Sequence, residues 1–105
     1  MHSKNKMAIQ IIEDDLRRAE SHTTSPNLVT NFAQDSYSKS TYRDLIRLLK
    51  ENEDVPPVNI IRNYVKKMEE YSCNNMFSSF IFSVSHDTAE YVLDELLNEG
   101  VKHNE

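Results

Sequence analysis

The chain has 105 residues, 38% of them hydrophobic and 28% charged, with a formal net charge of −5. That is one domain's worth of chain, patterned as a foldable unit rather than an acidic tail, and its acidity argues against the broad Lys/Arg surface of a nucleic-acid binder. Its lone glycine leaves little material for tight hairpins and none for a glycine-rich phosphate loop, and its lone cysteine, Cys73, excludes an intrachain disulfide framework and a multi-cysteine zinc site.

Apolar residues recur at helical spacing along most of the chain, so an all-α fold is expected: an irregular bundle of five or six short helices in a single domain spanning 1–105. Residues 1–5 and 101–105 are expected to fray. A first helix is predicted over about 5–20, with Ile9, Ile12, Leu16 and Ala19 facing inward and Ile11 off that stripe. Outside it, Glu13–Arg17 and Asp14–Arg18 are spaced to pair across one turn. Ser25-Pro26 reads as a cap followed by a proline in the first turn, opening a short second helix over 26–34 with Leu28, Val29, Phe32 and Ala33. The Ser-rich stretch 35–40 reads as a connector. Thr41 with Asp44 three residues on approximates a capping box for a third helix reaching about residue 52, with Tyr42, Leu45, Ile46 and Leu49 inside.

The clearest helix is predicted over 58–72, after Pro56-Pro57, with Val58, Ile61, Tyr64, Val65, Met68 and Tyr71 on one stripe. The segment 76–85 is ambiguous. Phe80, Phe82 and Val84 alternate as in a strand, yet Met76, Phe77, Phe80, Ile81 and Val84 also fit a helix, and a strand would have no partner. It is assigned to a fifth helix. A last helix is predicted from Asp87, capped with Glu90 and closed by Gly100, with Ala89, Val92, Leu93, Leu96 and Leu97 inside.

No motif for catalysis, a metal or a cofactor emerges. His86-Asp87 resembles half of a general-base pair, but reads better as an outward histidine beside a capping aspartate. Cys73 reads as a half-buried thiol near the end of its helix, with only Lys66 and Lys67, toward the helix's other end, as basic residues nearby in sequence. Glu13-Asp14-Asp15, Glu51/Glu53/Asp54 and Asp94-Glu95 lack calcium-loop spacing and read as solvated helix surface. The apolar run after Lys4 and Lys6 breaks at once at Glu13, unlike a signal peptide, and no stretch approaches the roughly 20 apolar residues of a membrane span. A cytoplasmic, non-enzymatic protein is expected.

Charge segregation is the functional clue. Between Val84 and Gly100 stand Asp87, Glu90, Asp94, Glu95 and Glu99 with no Lys or Arg, whereas residues 39–50 carry Lys39, Arg43, Arg47 and Lys50 against Asp44 alone. The two stretches either neutralise each other inside the fold or leave an acidic surface for a basic protein partner. The second reading makes the chain a protein-binding module, such as a small inhibitor, an immunity-type protein or an adaptor. Asp87, Glu90, Asp94, Glu95 and Glu99, together with Phe82, are its contact residues. The alternative is a self-associating homodimer using apolar residues outside the stripes: Ile11, Leu48, Ile60 or Phe82.

Overall fold

A computed structural model describes residues 5–21, 29–74 and 79–99, with side chains described from Asp35 to Cys73 in the middle stretch. Among these residues it has four helices: α1 (Lys6–Ser21), α2 (Val29–Glu51), α3 (Pro57–Asn74) and α4 (Ser79–Asn98). The all-α class holds, and the expected five or six helices become four. The Ser25-Pro26 helix start, Met76, Phe77, Gly100 and the segments 1–4 and 101–105 lie outside the described residues, as do the side chains of Val29, Phe32 and Ala33.

Both lost boundaries fall where serine and threonine signal a break. The expected connector 35–40 and the expected cap at Thr41 are interior turns of α2. The expected break between 85 and 87 is interior to α4, so Asp87 and Glu90 cap nothing. Tertiary pairing of the hydroxyls explains both. Thr41 Oγ1 is hydrogen-bonded to the Tyr37 carbonyl one turn back and to Ser85 Oγ, each at 2.8 Å. Ser38 Oγ meets Thr88 Oγ1 at 3.0 Å. These residues are weak helix formers because their hydroxyls compete for backbone groups. Here each hydroxyl has a partner on the facing helix, and their small size lets α2 and α4 approach closely. The Tyr64 phenol of α3 also reaches Ser85 and Thr41.

The packing runs α1 on α2, α2 on α4 and α4 on α3. Neighbours are antiparallel: Ser38 meets Thr88 while Thr41 meets Ser85, and Tyr71 packs on Phe82 with ring centroids 5.2 Å apart while Tyr64 reaches Ser85. The core between the helices contains Ala8, Ile12, Leu45, Leu49, Val58, Ile61, Val92 and Leu96, all 0% exposed. At roughly 1.5–3 kcal/mol for each fully buried large aliphatic side chain, this cluster is the main source of stability.

The predicted stripes hold at their centres and fail at their edges. Ile11, expected off the stripe, packs against the core, as does Leu48, while Ile60 is itself part of it. Tyr71 and Leu97, expected inside, are 46% and 44% exposed. In α1 the four-residue ion pairs give way to three-residue ones, Arg17 to Asp14 at 3.3 Å and Arg18 to Asp15 at 2.7 Å. Asp15 occupies the inner line with Ala8 and Ile12.

Two polar devices fix the helix ends. The Pro56 carbonyl accepts from the Asn59 and Ile60 amides at 3.1 and 3.2 Å, so α3 starts with Pro57 where a missing N–H costs nothing. At the end of α2, the buried Asn5 amide donates to the Leu49 and Asn52 carbonyls at 2.8 and 3.1 Å. It thereby satisfies carbonyls that the helix leaves open and pins α1 to α2. We expect Asn5→Ala to lower unfolding stability by about 1–3 kcal/mol, the cost of stranding a buried carbonyl. Ile61→Ala should cost about 2–5 kcal/mol as a cavity in the core. Urea midpoints at constant slope check both, and an unchanged midpoint for Asn5→Ala would remove the capping role.

Candidate acidic surface on the fourth helix

From Ser79 to Asn98, α4 contains no Lys or Arg. Steps of about 100° per residue place Asp87, Glu90 and Asp94 within about 60° of one another, opposite the line of Ser85, Val92 and Leu96. All three are exposed or nearly so along that arc, with Asp87 and Glu90 side chains 75% and 55% exposed. The same outer side carries Phe80, Tyr91 and Leu97, which are 44%, 55% and 44% exposed. Large apolar groups thus sit among carboxylates on one helix, anchored behind by α2 and α3.

The basic stretch of α2 does not neutralise this face. Lys39 pairs with Asp35 at 2.8 Å, Arg43 with Glu20 at 2.9 Å and Arg47 with Asp44 at 3.6 Å. Three of the four cations of 39–50 are thus committed to α1 or to α2 itself. Among the described residues, no Lys or Arg pairs with Asp87, Glu90 or Asp94, and the His86 imidazole lies 3.1 Å from Asp87 and 3.8 Å from Glu90.

Of the predicted contact residues, the structure brings Asp87, Glu90 and Asp94 together and separates the rest. Glu99 is exposed just past the end of the helix, about a third to a half of a turn away from them. Phe82 is half-buried with its ring against Tyr71, so it supports the α3–α4 packing instead of offering an anchor. Tyr37, likewise, is in α2 and meets Phe80 edge-on at 6.3 Å. Sequence reasoning missed Tyr91, Phe80 and Leu97 as surface groups. A helix wheel continued through residue 86 would have placed Tyr91 and Phe80 beside Asp87.

Glu95 turns inward, toward α1. Its side chain is 21% exposed and that of Asp15 is 4% exposed, with Arg18 2.7 Å from Asp15 and 4.0 Å from Glu95. The buried Glu95 Oε1 and Asp15 Oδ2 have no donor facing them from the other described residues. Two carboxylate oxygens in that position need a proton between them. Burial first, then the hydrogen bond to Asp15 and the Asp15 charge, push the Glu95 carboxyl from 4.5 up to about 8, against the pull of Arg18. Tyr42, over the same contact, is pushed up to about 12 by burial and then by Asp15. The raised carboxyl favours a proton held within the Asp15–Glu95 pair, and the outward carboxylates are Asp87, Glu90 and Asp94 of α4, with Glu99 just past its end.

Cys73 is exposed at the end of α3, not half-buried as expected. His86 is half-buried within α4, not at a helix start. Leu48 and Ile60, two residues of the homodimer alternative, line one groove of about 270 Å³ with Val55 and Tyr64. Among the described residues, no helix is long and apolar enough to cross a membrane.

The Asp15–Glu95 pair makes stability depend on pH in a defined direction. Glu95 binds its proton more tightly folded than unfolded, so the contribution is full below about 4.5 and is lost as pH rises through about 8. We expect Glu95→Gln, which keeps a neutral donor facing Asp15, to flatten that decline. It should exceed the parent's stability at pH 9 by an amount on the order of 2 kcal/mol. Urea titrations from pH 5 to 9 measure it; parallel curves for parent and variant would show that no proton is shared.

No protein family, curated protein or solved structure matches this chain.

Proposed function

We propose that the chain is a non-enzymatic protein-binding module that presents the outer face of α4 to a basic protein partner. What carries this reading is the combination on one helix face of three carboxylates that pair with no Lys or Arg among the described residues and three exposed large apolar side chains. Monomer surfaces rarely gather large apolar groups without use, and interfaces take their affinity from buried aromatic anchors ringed by polar groups. Tyr91 is the best-suited anchor, since its rigid, amphipathic ring stands between Asp87 and Asp94. The carboxylates speed encounter with a cationic surface and reject acidic competitors.

An inhibitor, an immunity-type protein and an adaptor all act in this way, by occupying a partner's surface with rigid helices. The paired cations of α2 support the reading because Lys39, Arg43 and Arg47 are committed to carboxylates of α1 and α2 and not to those of α4. The second reading is a homodimer built over the groove of Leu48, Val55 and Ile60. Light scattering at micromolar concentration separates the two, a stable dimer favouring the second.

The direct experiment captures partners from the native host at low salt with the parent chain and with an Asp87→Asn/Glu90→Gln/Asp94→Asn variant. A basic protein retained by the parent and depleted with the variant is the expected result. Against that partner, the triple variant should slow association about tenfold and lose its salt dependence. Tyr91→Ala should raise Kd roughly 30-fold or more, mainly through faster dissociation. Equal retention by parent and variant, or no retained protein at low salt, would overturn the reading.

A further inference from the structure

We propose that the Asp15–Glu95 contact between α1 and α4 is a proton-operated latch. With a proton shared, Glu95 stays turned toward α1; without it, Glu95 swings out to the solvent side of α4 beside Tyr91. The motion stands on the packing of α1 and α4 alone, whereas its effect on binding rests on the reading of α4 as a partner face.

The charges that meet at this contact do not balance. Asp15 and Arg18 of α1 act there with Glu95 of α4 and Glu99 just past it, one cation among three carboxyls. The phenols of Tyr42 on α2 and Tyr91 on α4 stand beside the pair and bring no positive charge. The packing partner α3 lies on the opposite flank of α4, where His86 stands half a turn from Glu95. Arg18 is 2.7 Å from Asp15 but 4.0 Å from Glu95, so it is committed to Asp15. Asp15 Oδ2 and Glu95 Oε1 are buried, with no donor facing them among the other described residues. Two carboxylates held together away from water resist carrying charge at the same time, so a proton is the partner they lack.

When that proton leaves, Glu95 is the group that moves. The Asp15 side chain is short, 4% exposed and held by Arg18, whereas that of Glu95 is one methylene longer and already 21% exposed. A cleft of about 230 Å³ lined by Asp15, Arg18, Ala19, Tyr42 and Tyr91 opens beside Asp15 and gives it room. Glu95 follows Tyr91 by one helical turn, so its outward rotamer stands next to that ring. α1 itself stays docked on α2. Asn5 still caps the Leu49 and Asn52 carbonyls, Arg43 still holds Glu20 at 2.9 Å, and Ala8 and Ile12 remain in the core. The latch therefore opens one flank and leaves the α1–α2 pairing intact.

Burial, then the hydrogen bond and the charge of Asp15, raise the Glu95 carboxyl from 4.5 to about 8. A raised carboxyl keeps its proton at lower pH, so the latch is shut there and opens as pH rises through about 8. Open, it adds a fourth carboxylate to Asp87, Glu90 and Asp94, next to the Tyr91 anchor. The face then draws cationic groups more strongly.

Carbon-13 NMR of the glutamate-labelled full chain from pH 5 to 9 tests the latch, with the Glu95 carboxyl assigned by its loss in Glu95→Gln. Its midpoint should lie near 8. Cross-relaxation from the Glu95 γ-methylene should pass from the Tyr42 ring at pH 6 to the Tyr91 ring at pH 9. In Glu95→Gln the side chain should stay with Tyr42 at both. Asp15→Asn, which replaces the rival charge by a donor, should also hold Glu95 inward at pH 9, and its amide spectrum shows that it is folded. A Glu95 midpoint near 4.5, or cross-relaxation unchanged between pH 6 and 9, overturns the latch. Oligolysine, whose side chains keep their charge over this range, is the binding probe. The parent should bind it about threefold more tightly at pH 9 than at pH 7, and Glu95→Gln equally at both. An equal gain in Glu95→Gln overturns the link between latch and binding. Movement of Glu95 without oligolysine binding at any pH upholds the latch and overturns the partner reading instead.

Discussion

The fold depends on how closely α2 and α4 can lie together. α1 packs on α2 and α3 packs on α4, so the molecule is two antiparallel helix pairs joined mainly along the α2–α4 seam. That seam consists of small hydroxyl side chains, Ser38 with Thr88 and Thr41 with Ser85, and the Tyr64 phenol reaches into it from α3. An aliphatic seam would bury more apolar area, but would hold the helix axes further apart. Hydroxyls allow close approach and still leave each polar atom paired, which is the condition for burying them at all. They also fix register, because sliding one helix along the other would strand several hydroxyls at once. Leu45, Leu49, Val92 and Leu96 then close over the seam's ends and supply the stabilisation.

This arrangement determines which side of α4 is available. With α2 and α3 covering the line of Ser85, Ala89, Val92 and Leu96, only the opposite arc meets solvent, and it carries Asp87, Glu90, Tyr91 and Asp94. A helix held on two sides presents those groups with little loss of freedom on binding, which is how rigid surfaces gain affinity. The Asp15–Glu95 contact adds α1 on a third flank. Since a shared proton neutralises one of two facing carboxyls, α1 docks on an acidic helix without adding to its charge.

Much of this is legible from residue spacing. The core positions Ile12, Leu45, Leu49, Val58, Ile61, Val92 and Leu96 all fall on stripes readable in the sequence, because a buried helix face has to recur at 3.6 residues whatever its neighbours are. The boundaries at 35–41 and 85–87 are not legible. Serine and threonine signal caps and turns when their hydroxyls bond locally, and nothing in a single chain reveals that Ser38 and Thr88, fifty residues apart, satisfy one another. The same blind spot splits α4 in two and hides the alignment of Phe80 with Asp87 and Tyr91. Asp15 is hidden differently: a carboxylate on an inner stripe reads as an error of phase until a second carboxyl is seen facing it.

The acidic candidates divide for a reason that lies in the seam and not in their charge. Once residues 79–98 form one helix whose inner line is set by Ser85 and Val92, each later position has its direction fixed by the helical step. Asp87, Glu90 and Asp94 fall opposite that line, whereas Glu95 falls a quarter-turn or so away, on the flank that α1 approaches. A reading by composition counts all of them alike. A reading by direction leaves three carboxylates facing outward, turns one inward toward Asp15, and sets His86 beside Glu90 over the cleft shared with Glu69 and Cys73. The hydroxyl pairs that lock α4 against α2 therefore also assign the chemistry of its remaining faces, so that a change of register at Thr41 and Ser85 would rotate all three arrangements together.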